Sequence, residues 1–405
     1  MLQTKREPPV TADDWLHLEI AAKDLFSPHA PIDEQALFAG RSNLIRRLID
    51  VVWQRGQHAI LYGDRGVGKT SLANIIKEQV FGKGQLHEVI KRNCTTQHDF
   101  KIIWQQVFYG WTLDGKPAVE MLGDSPTAFE VYQLLGAIAA QRRPIIILDE
   151  FDRIRDKLTH EMIADTIKQL ADESVSATII IVGVAQSVSE LFGGHESIHR
   201  NVQQVPMPRM APHELSDIFF KRMSILGMSI DQDTLSTIVK LSQGLPGYTH
   251  LLGQHACVSA IERQSVEVSF DDLLAAMKIC VEGVDETVRE GYHRAVRSTK
   301  PLNKYREALL ACALAETNDK GFFSASSVRE PFSMIVQKAS DIPSFARHLQ
   351  EFCSGDRGPT LIRVGKPKSY EYRFADGLLR PYVIIRGLSE GMLRPDDIPS
   401  PPTLF

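Results

Sequence analysis

One stretch of the chain matches the phosphate-binding pattern G-x-x-x-x-G-K-[ST] at every fixed position: Gly63-Asp64-Arg65-Gly66-Val67-Gly68-Lys69-Thr70-Ser71. Glycines let backbone N–H groups curl around phosphate oxygens, and the start of the following helix adds partial positive charge. Lys69 would reach the β- and γ-phosphates, and Thr70 would offer its hydroxyl to Mg²⁺. The stretch therefore predicts a site for ATP and Mg²⁺.

The residues on either side of this loop provide the context that the pattern requires. His58–Tyr62 is a short apolar run typical of a buried parallel strand, and Ser71–Lys77 begins an amphipathic helix. A strand, a glycine-rich turn and a helix then follow one another in the expected order. The alternative is a glycine-rich turn that binds no ligand.

A second site, which is acidic, is predicted about eighty residues further along the chain. The apolar run Pro144–Leu148 ends in Asp149 and Glu150, which would lie at the carboxyl edge of a core strand. We expect Asp149 to hold Mg²⁺, directly or through water, and Glu150 to polarise the attacking water. A carboxylate at a strand end can also cap a helix, and this is the simpler interpretation of Asp152.

With both motifs present, the sequence resembles AAA+ ATPases, and among them the origin-recognition and replication-initiator branch, over roughly residues 35 to 385. Leu37–Arg41 is similar to the F-x-G-R box that lies beside the adenine in that family, which assigns Phe38 and Arg41 to nucleotide binding. The Asp149-Glu150 pair matches the hydrolysing form of the family's acidic motif.

The resemblance also implies roles for three further residues. Gln186 follows the apolar strand Thr178–Ala185 at the place of a polar γ-phosphate sensor, with Ser187 as its neighbour. Asn93 matches the position that restrains the catalytic glutamate, although an ordinary strand-end asparagine is an equal alternative. Arg200 sits where the family carries an arginine finger that acts in trans, or it is a solvated loop arginine.

One segment departs from the family pattern. Where a lid helix usually begins with an arginine that contacts the γ-phosphate, this chain has Gly247 within Gly244–His250. Tyr248 or His250 would have to substitute, or the lid does not sense the γ-phosphate. The Gly-x-Pro sequence here also resembles the STAND group of signalling ATPases, which act as switches, and this argues against rapid turnover.

The resemblance and the order of apolar patterns predict an α/β P-loop NTPase core with a parallel sheet, a helical lid and a winged-helix domain. We predict a non-compact N-terminal arm, then the core, the lid, the winged helix and a disordered tail, with these boundaries: 1–34, 35–210, 211–295, 296–388 and 389–405. Helical apolar spacing and the lack of a convincing strand define the lid.

The winged-helix prediction rests on three helical patterns followed by two alternating strands: Tyr305–Leu314, a helix from Ser326, Pro343–Phe352, Thr360–Val364 and Tyr370–Phe374. Between Lys338 and Arg386 there are nine Lys or Arg and five Asp or Glu, a local net charge of +4. The third helix would enter the major groove of duplex DNA and the hairpin would contact phosphate. The expected DNA contacts are Arg347, Arg363, Lys366 and Lys368.

Composition limits the other possibilities. A net charge of −4 gives no overall attraction to nucleic acid, so binding would depend on a local patch. The five cysteines form no C-x-x-C pair, and we found no signal sequence or membrane span, so we expect a reduced cytoplasmic protein that does not enter membranes. Expected partners are duplex DNA and a homo-oligomer, partner ATPase or effector protein. A winged helix that docks a protein is the alternative to DNA binding.

Overall fold

The computed structural model of the chain describes residues 9–28, 40–81, 87–192, 201–298, 303–318, 320–367 and 369–400. The chain divides into two compact units. The core unit comprises residues 31–208, and the helical unit comprises residues 1–30 together with residues 209–405.

The strands within these ranges are β1 (His58–Gly63), β2 (His87–Asn93), β3 (Thr112–Leu113), β4 (Lys116–Pro117), β5 (Arg143–Asp149), β6 (Thr178–Val184), β7 (Val202–Pro206), β8 (Ser229–Ile230), β9 (Glu267–Val268), β10 (Phe323–Ser324), β11 (Leu361–Lys366) and β12 (Ser369–Phe374). The α-helices are α1 (Ala12–Leu25), α2 (Ser42–Trp53), α3 (Lys69–Phe81), α4 (Phe100–Phe108), α5 (Ala128–Ala139), α6 (Lys157–Asp172), α7 (Val188–Phe192), α8 (Pro212–Leu226), α9 (Gln232–Ser242), α10 (Pro246–Glu262), α11 (Phe270–Gly283), α12 (Glu286–Val296), α13 (Tyr305–Leu314), α14 (Ala325–Ile335), α15 (Pro343–Cys353) and α16 (Leu379–Ser389).

The core unit is built on a five-stranded parallel sheet with strand order β2-β5-β6-β1-β7. Successive residues of Ile145–Leu148 in β5 and of Ile179–Val182 in β6 are buried. Because neighbouring side chains of a strand point to opposite faces, this burial means that both faces of the sheet are covered. The predicted α/β core is therefore confirmed.

The carboxyl ends of the strands bring distant parts of the sequence to one edge of this sheet. In the strand register, Asn93 at the end of β2 lies beside Asp149 at the end of β5. Gly63 at the end of β1 lies beside Val184 at the end of β6. The phosphate-binding pattern and the acidic pair consequently begin at the same edge of the sheet, at the ends of β1 and β5 with β6 between them, as is usual for ligand sites in such sheets.

Two short strand pairs were missing from the sequence prediction. Between β2 and β5 we predicted only helices, but β3 and β4 form an antiparallel hairpin with Asp114 and Gly115 in its turn. In the lid segment, where we predicted no strand, β8 pairs with β9 in parallel. Each of these strands has only two residues, which is too short to give an alternating apolar pattern.

The lid segment otherwise has the predicted helical form. The apolar residues that defined its spacing lie inside the helical unit, with Leu215, Ile218 and Phe219 of α8 and Leu235 and Ile238 of α9 buried. No helix within the described ranges is long and apolar enough to cross a membrane.

The N-terminal segment is not the non-compact arm that we predicted. Thr11 caps α1 by accepting a hydrogen bond from the Asp14 backbone, and the Asp14 carboxylate accepts one from the Thr11 backbone, forming a capping box. At the other end, the side-chain amide of Gln254 in α10 donates to the carbonyl oxygens of Lys23 and Phe26, at 3.0 and 2.6 Å. The helix is thus docked on α10 within the helical unit.

The C-terminal block contains the predicted three helices, α13, α14 and α15, followed by the β11–β12 hairpin. β10 adds a strand to give a three-stranded sheet with order β10-β12-β11, and α16 follows; neither element was predicted.

The predicted disordered tail is also wrong up to residue 400. Leu393 and Ile398 are buried there, and Gln243 donates to the carbonyl oxygen of Pro399. Residues 401–405 lie outside the described part.

The packing of α1 on α10 predicts the effect of adding one methyl group. A Cβ at Gly253 would lie 2.5 Å from Phe26 Cε1 and 2.9 Å from Phe219 Cε2, and both rings are fully buried. We expect Gly253→Ala to destabilise the helical unit by about 1–3 kcal/mol, because the clash outweighs the gain in helix propensity. Thermal unfolding would measure the change.

Gly291→Ala in α12 is the matched control for this substitution. A Cβ at Gly291 would meet only Leu379 Cδ2 at 3.9 Å, an ordinary contact, so this variant should be neutral or slightly stabilised. Equal melting temperatures for the two variants would contradict the proposed tight packing around Phe26.

Candidate functional site

The loop between β1 and α3 has a backbone that depends on its glycines. Gly66 and Gly68 have φ values of 82° and 92°, a left-handed region that residues with a Cβ rarely adopt. Gly63 is needed for a different reason, because a Cβ there would lie 2.3 Å from the carbonyl oxygen of Met207, just after β7. The glycines therefore shape the loop and seat it on the sheet.

Lys69 is turned back onto this loop at the start of α3. It is only 8% exposed, and its Nζ donates to the carbonyl oxygens of Gly63 and Asp64, at 3.0 and 2.7 Å. Burial lowers the pKa of Lys69 to about 8, against the opposing effect of the carboxylates of Asp152, Asp64 and Asp149. An ammonium group has three donors, so one remains for a ligand after these two bonds.

Asp149 is the last residue of β5 and Glu150 follows it, as predicted. The two side chains have different surroundings. Asp149 is buried, and its Oδ1 accepts a hydrogen bond from the Glu150 backbone at 2.9 Å. Glu150 has a φ of 55°, a strained value for a non-glycine residue of the kind found at functional sites. Its carboxylate lies 2.9 Å from Arg153, and both side chains are about half exposed, so Glu150 remains accessible to water.

Lys91, in β2, is a site residue that sequence analysis missed. Its Nζ lies 3.0 Å from Asp149 Oδ2 and donates to the side-chain oxygen of Asn74 in α3 at 2.6 Å. The side chains of Lys91 and Asp149 are only 14% and 3% exposed. A buried cation thus lies beside the predicted Mg²⁺ ligand.

The predicted sensor Gln186 lies against the phosphate-binding loop. Its side-chain amide donates to Asp64 Oδ1 at 2.7 Å, although the two residues are 122 positions apart. Asp152 does not cap a helix, since its Oδ1 accepts a hydrogen bond from the Val184 backbone at the end of β6. The ends of β5 and β6 and the loop are thereby tied together.

The structure describes only two of the four remaining residues that we predicted for the core site: it includes Asn93 and Arg41. Asn93 is exposed beside Asp149 in the strand register, and its role toward Glu150 stays a prediction. Arg41 is buried and donates through Nη2 to the carbonyl oxygen of Pro208 at 2.6 Å, which anchors the start of α2. Phe38 and Arg200 lie outside the described residues.

The oxygen donors at this edge fit the chemistry of Mg²⁺. Asp149 Oδ2 is buried with the Lys91 ammonium 3.0 Å away, and Thr70 places a hydroxyl in the first turn of α3. No group of three or more His, Cys, Asp or Glu side chains in the described ranges could hold a metal ion. Mg²⁺ is usually bound by one or two such groups together with phosphates and water.

The predicted DNA contacts lie on the C-terminal block. Arg347 in α15 is exposed, but its Nε lies 2.7 Å from Glu351, one turn further along the helix. The guanidinium group of Arg363 stacks over the ring of Tyr370 at 4.3 Å, across the β11–β12 hairpin. Lys366 is exposed at the end of β11. Lys368 lies outside the described residues.

Two other basic residues of this block are used in its own packing rather than left to contact DNA. Arg357 stacks on the ring of Tyr305 at 3.6 Å, and Arg380 donates to the carbonyl oxygens of Ala313 and Ala315. Burial lowers the pKa of Arg380 to about 9. The local net charge counted from the sequence therefore overstates the basic surface, which includes the exposed Lys338, Arg347, Arg363 and Lys366.

Tyr248 and His250, the two lid residues that the sequence offered as substitutes for the expected arginine, are enclosed in the helical unit. The hydroxyl of Tyr248 donates to the carbonyl oxygen of Leu378, and His250 is 3% exposed against the ring of Phe26. Burial, with Arg222 nearby, lowers the pKa of His250 to about 3, so its ring is neutral at physiological pH. In this arrangement neither side chain replaces the arginine.

Comparisons with known proteins agree with the geometry of the core. Residues 53–192 match the family described as AAA domain. The structure is similar to the ORC1 protein of Aeropyrum pernix in complex with DNA, with a TM-score of 0.50 and 18% identity over 89% of this chain and 95% of that chain. It is also similar to a Walker-type ATPase of Pyrococcus abyssi, with a TM-score of 0.52 and 17% identity over 89% and 99% of the two chains. No curated protein matches the sequence.

These similarities bear on the fold rather than on the substrate, because both identities are low. The AAA match contains the phosphate-binding loop, β2 and the acidic pair, and both structural matches extend over most of the chain. Residues 53–192 thus match the AAA domain family, and the fold of the chain is similar to that of the ORC1 protein and of the Walker-type ATPase, in agreement with the P-loop core that the motifs predicted.

Proposed function

We propose that the core unit binds ATP with Mg²⁺ and hydrolyses it slowly. One observation carries this proposal: Lys69 and the Asp149-Glu150 pair lie at the same edge of the sheet, and Lys69 keeps one hydrogen-bond donor for a phosphate. When bound, Mg²⁺ would supply positive charge to the phosphates. Thr70 and Asp149 would hold it.

The other core residues complete a hydrolytic site in this proposal. Glu150 accepts the proton of the attacking water, while Asn93 restrains Glu150 and Gln186 contacts the γ-phosphate. Arg200 is supplied by a neighbouring subunit, either a second copy of this chain or a partner ATPase. Hydrolysis is then coupled to assembly, because the site is incomplete in a single chain.

For the C-terminal block we propose a winged helix that binds duplex DNA. Three helices followed by a hairpin provide the arrangement, and the exposed Arg363 and Lys366 provide phosphate contacts on β11. The similar ORC1 structure contains DNA, which makes duplex DNA the first ligand to test. Arg347 can contact a base only after leaving Glu351.

A nucleotide-dependent signalling switch is the second candidate function. The lid has Gly247 at the position where an arginine usually contacts the γ-phosphate, and Tyr248 and His250 nearby are both buried. A lid without this contact favours long-lived nucleotide states over rapid turnover. In that case the C-terminal block would dock an effector protein.

The lowered pKa of Lys69 predicts pH-dependent ATP binding. Only the protonated ammonium attracts phosphate, so ATP affinity should fall about tenfold between pH 7 and pH 9, as the pH passes the pKa of about 8. Lys69→Ala should weaken binding at least tenfold at pH 7 and remove this dependence. Calorimetry at several pH values would measure both effects.

Lys69→Arg is the control for this pH dependence. A guanidinium group stays protonated throughout this range, so whatever affinity the variant retains should not change with pH. The same pH profile in the wild type and in Lys69→Arg would rule out Lys69 as its source.

Glu150→Gln should separate binding from hydrolysis. The amide keeps the shape of the side chain but cannot accept the proton of water, so phosphate release should fall at least about a hundredfold while ATP affinity changes little. Glu173→Gln, on an exposed residue after α6, is the matched control and should behave as the wild type. Equal phosphate release by wild type and Glu150→Gln would exclude Glu150 as the base.

The combined substitution of Arg363→Glu and Lys366→Glu should weaken binding to every duplex sequence. Two lost phosphate contacts should reduce the slope of log affinity against log salt by about two units. The combined substitution of Lys278→Glu and Arg294→Glu makes the same charge change on exposed residues elsewhere in the helical unit. Filter binding at several salt concentrations would distinguish the two; equal losses would point to net charge rather than to the hairpin.

A further inference from the structure

The ion pair between Lys91 and Asp149 lies close to the place where Mg²⁺ would bind. Lys91 Nζ is 3.0 Å from Asp149 Oδ2, whereas the other carboxylate oxygen, Oδ1, accepts a hydrogen bond from the Glu150 backbone. Both side chains are almost completely buried, so solvent screens this pair only weakly. The charge of Asp149 is therefore compensated without a metal ion.

The second contact of Lys91 fixes the ammonium group relative to the phosphate-binding loop. Lys91 donates to Asn74 at 2.6 Å, and Asn74 lies four residues after Thr70 in α3. Residues four apart lie on the same face of a helix, one turn from each other. The Lys91 ammonium is thus held one turn behind the hydroxyl that is proposed to bind Mg²⁺.

A fixed cation at this position has two electrostatic consequences. Without metal, it offsets the repulsion between the Asp149 carboxylate and the phosphates of a nucleotide. With metal, it competes with Mg²⁺ for the same carboxylate and repels the divalent ion. Lys91 should therefore favour metal-free nucleotide binding and reduce the gain that Mg²⁺ provides.

We propose that Lys91 is an internal counter-cation that makes nucleotide binding by this protein only weakly dependent on Mg²⁺. The inference rests on the proposed ATP site and concerns its regulation by metal. Lys91 acts through Asp149 and is a positioning residue. The measurable quantity is the metal ratio, defined as the ATP dissociation constant in excess EDTA divided by that in excess Mg²⁺.

The test is to measure the metal ratio by calorimetry for the wild type and for Lys91→Met at neutral pH. We expect a small ratio for the wild type, below about tenfold, and a ratio at least about tenfold larger for Lys91→Met. Most of the change should be weaker binding in EDTA, because an uncompensated Asp149 repels phosphate. Lys77→Met, on an exposed lysine of α3, makes the same substitution and should keep the wild-type ratio.

Two further variants separate charge from structure. Lys91→Arg keeps the charge and should keep the small metal ratio. Lys91→Gln keeps a hydrogen-bond donor but loses the charge, so it should show the larger ratio and serves if Lys91→Met does not fold. Unfolding of both neutral variants would assign Lys91 to stability alone and overturn the proposal.

The outcomes distinguish this inference from the proposed function. If the wild type binds ATP in neither buffer, the ATP site itself is wrong and the role of Lys91 is lost with it. If the wild type binds ATP but Lys91→Met or Lys91→Gln leaves the ratio unchanged, only the counter-cation role is wrong. A wild-type ratio already far above tenfold would also overturn it.

Discussion

A carboxylate buried at the end of an apolar strand is the constraint that organises the core unit. Asp149 follows four buried apolar residues of β5, so its side chain cannot reach bulk water. An unpaired buried charge costs several kcal/mol, and the structure meets this requirement with the Glu150 backbone N–H and the ammonium of Lys91. The placement of β2 beside β5 allows Lys91 to reach Asp149 from the neighbouring strand.

The motifs of the core could be predicted because each is a local pattern with local consequences. A strand, a glycine-rich turn and a helix fix the loop, and parallel strands end at one edge of the sheet, which brings Asn93 and Gln186 to the site. Lys91 could not be predicted in the same way, since its partner is 58 positions away and depends on strand order. The available signal was its spacing: Lys91 lies two residues before Asn93 and so on the same face of β2.

The helical unit shows where composition misled the sequence analysis. Prolines near both ends of the chain suggested a loose arm and tail, yet Leu18, Ala22 and Phe26 form one apolar stripe at helical spacing and are buried. Thr11 and Asp14 also provide a start signal for α1. The structure of the tail depends on the burial of single residues such as Ile398, and no periodic pattern in the sequence reveals such a residue.

Charge counting was least informative in the C-terminal block, because a basic residue contributes to a surface only if its charge reaches solvent. Arg380 satisfies the carbonyl groups at the end of α13, and Arg357 stacks on Tyr305. Their charges belong to the packing of the block, so electrostatic attraction to DNA would have to come from its exposed basic residues, such as Arg347, Arg363 and Lys366. With few phosphate contacts per chain, useful affinity for duplex DNA would require several chains side by side. Nucleotide-dependent assembly would provide that arrangement, which would link the proposed ATP site to the proposed DNA site.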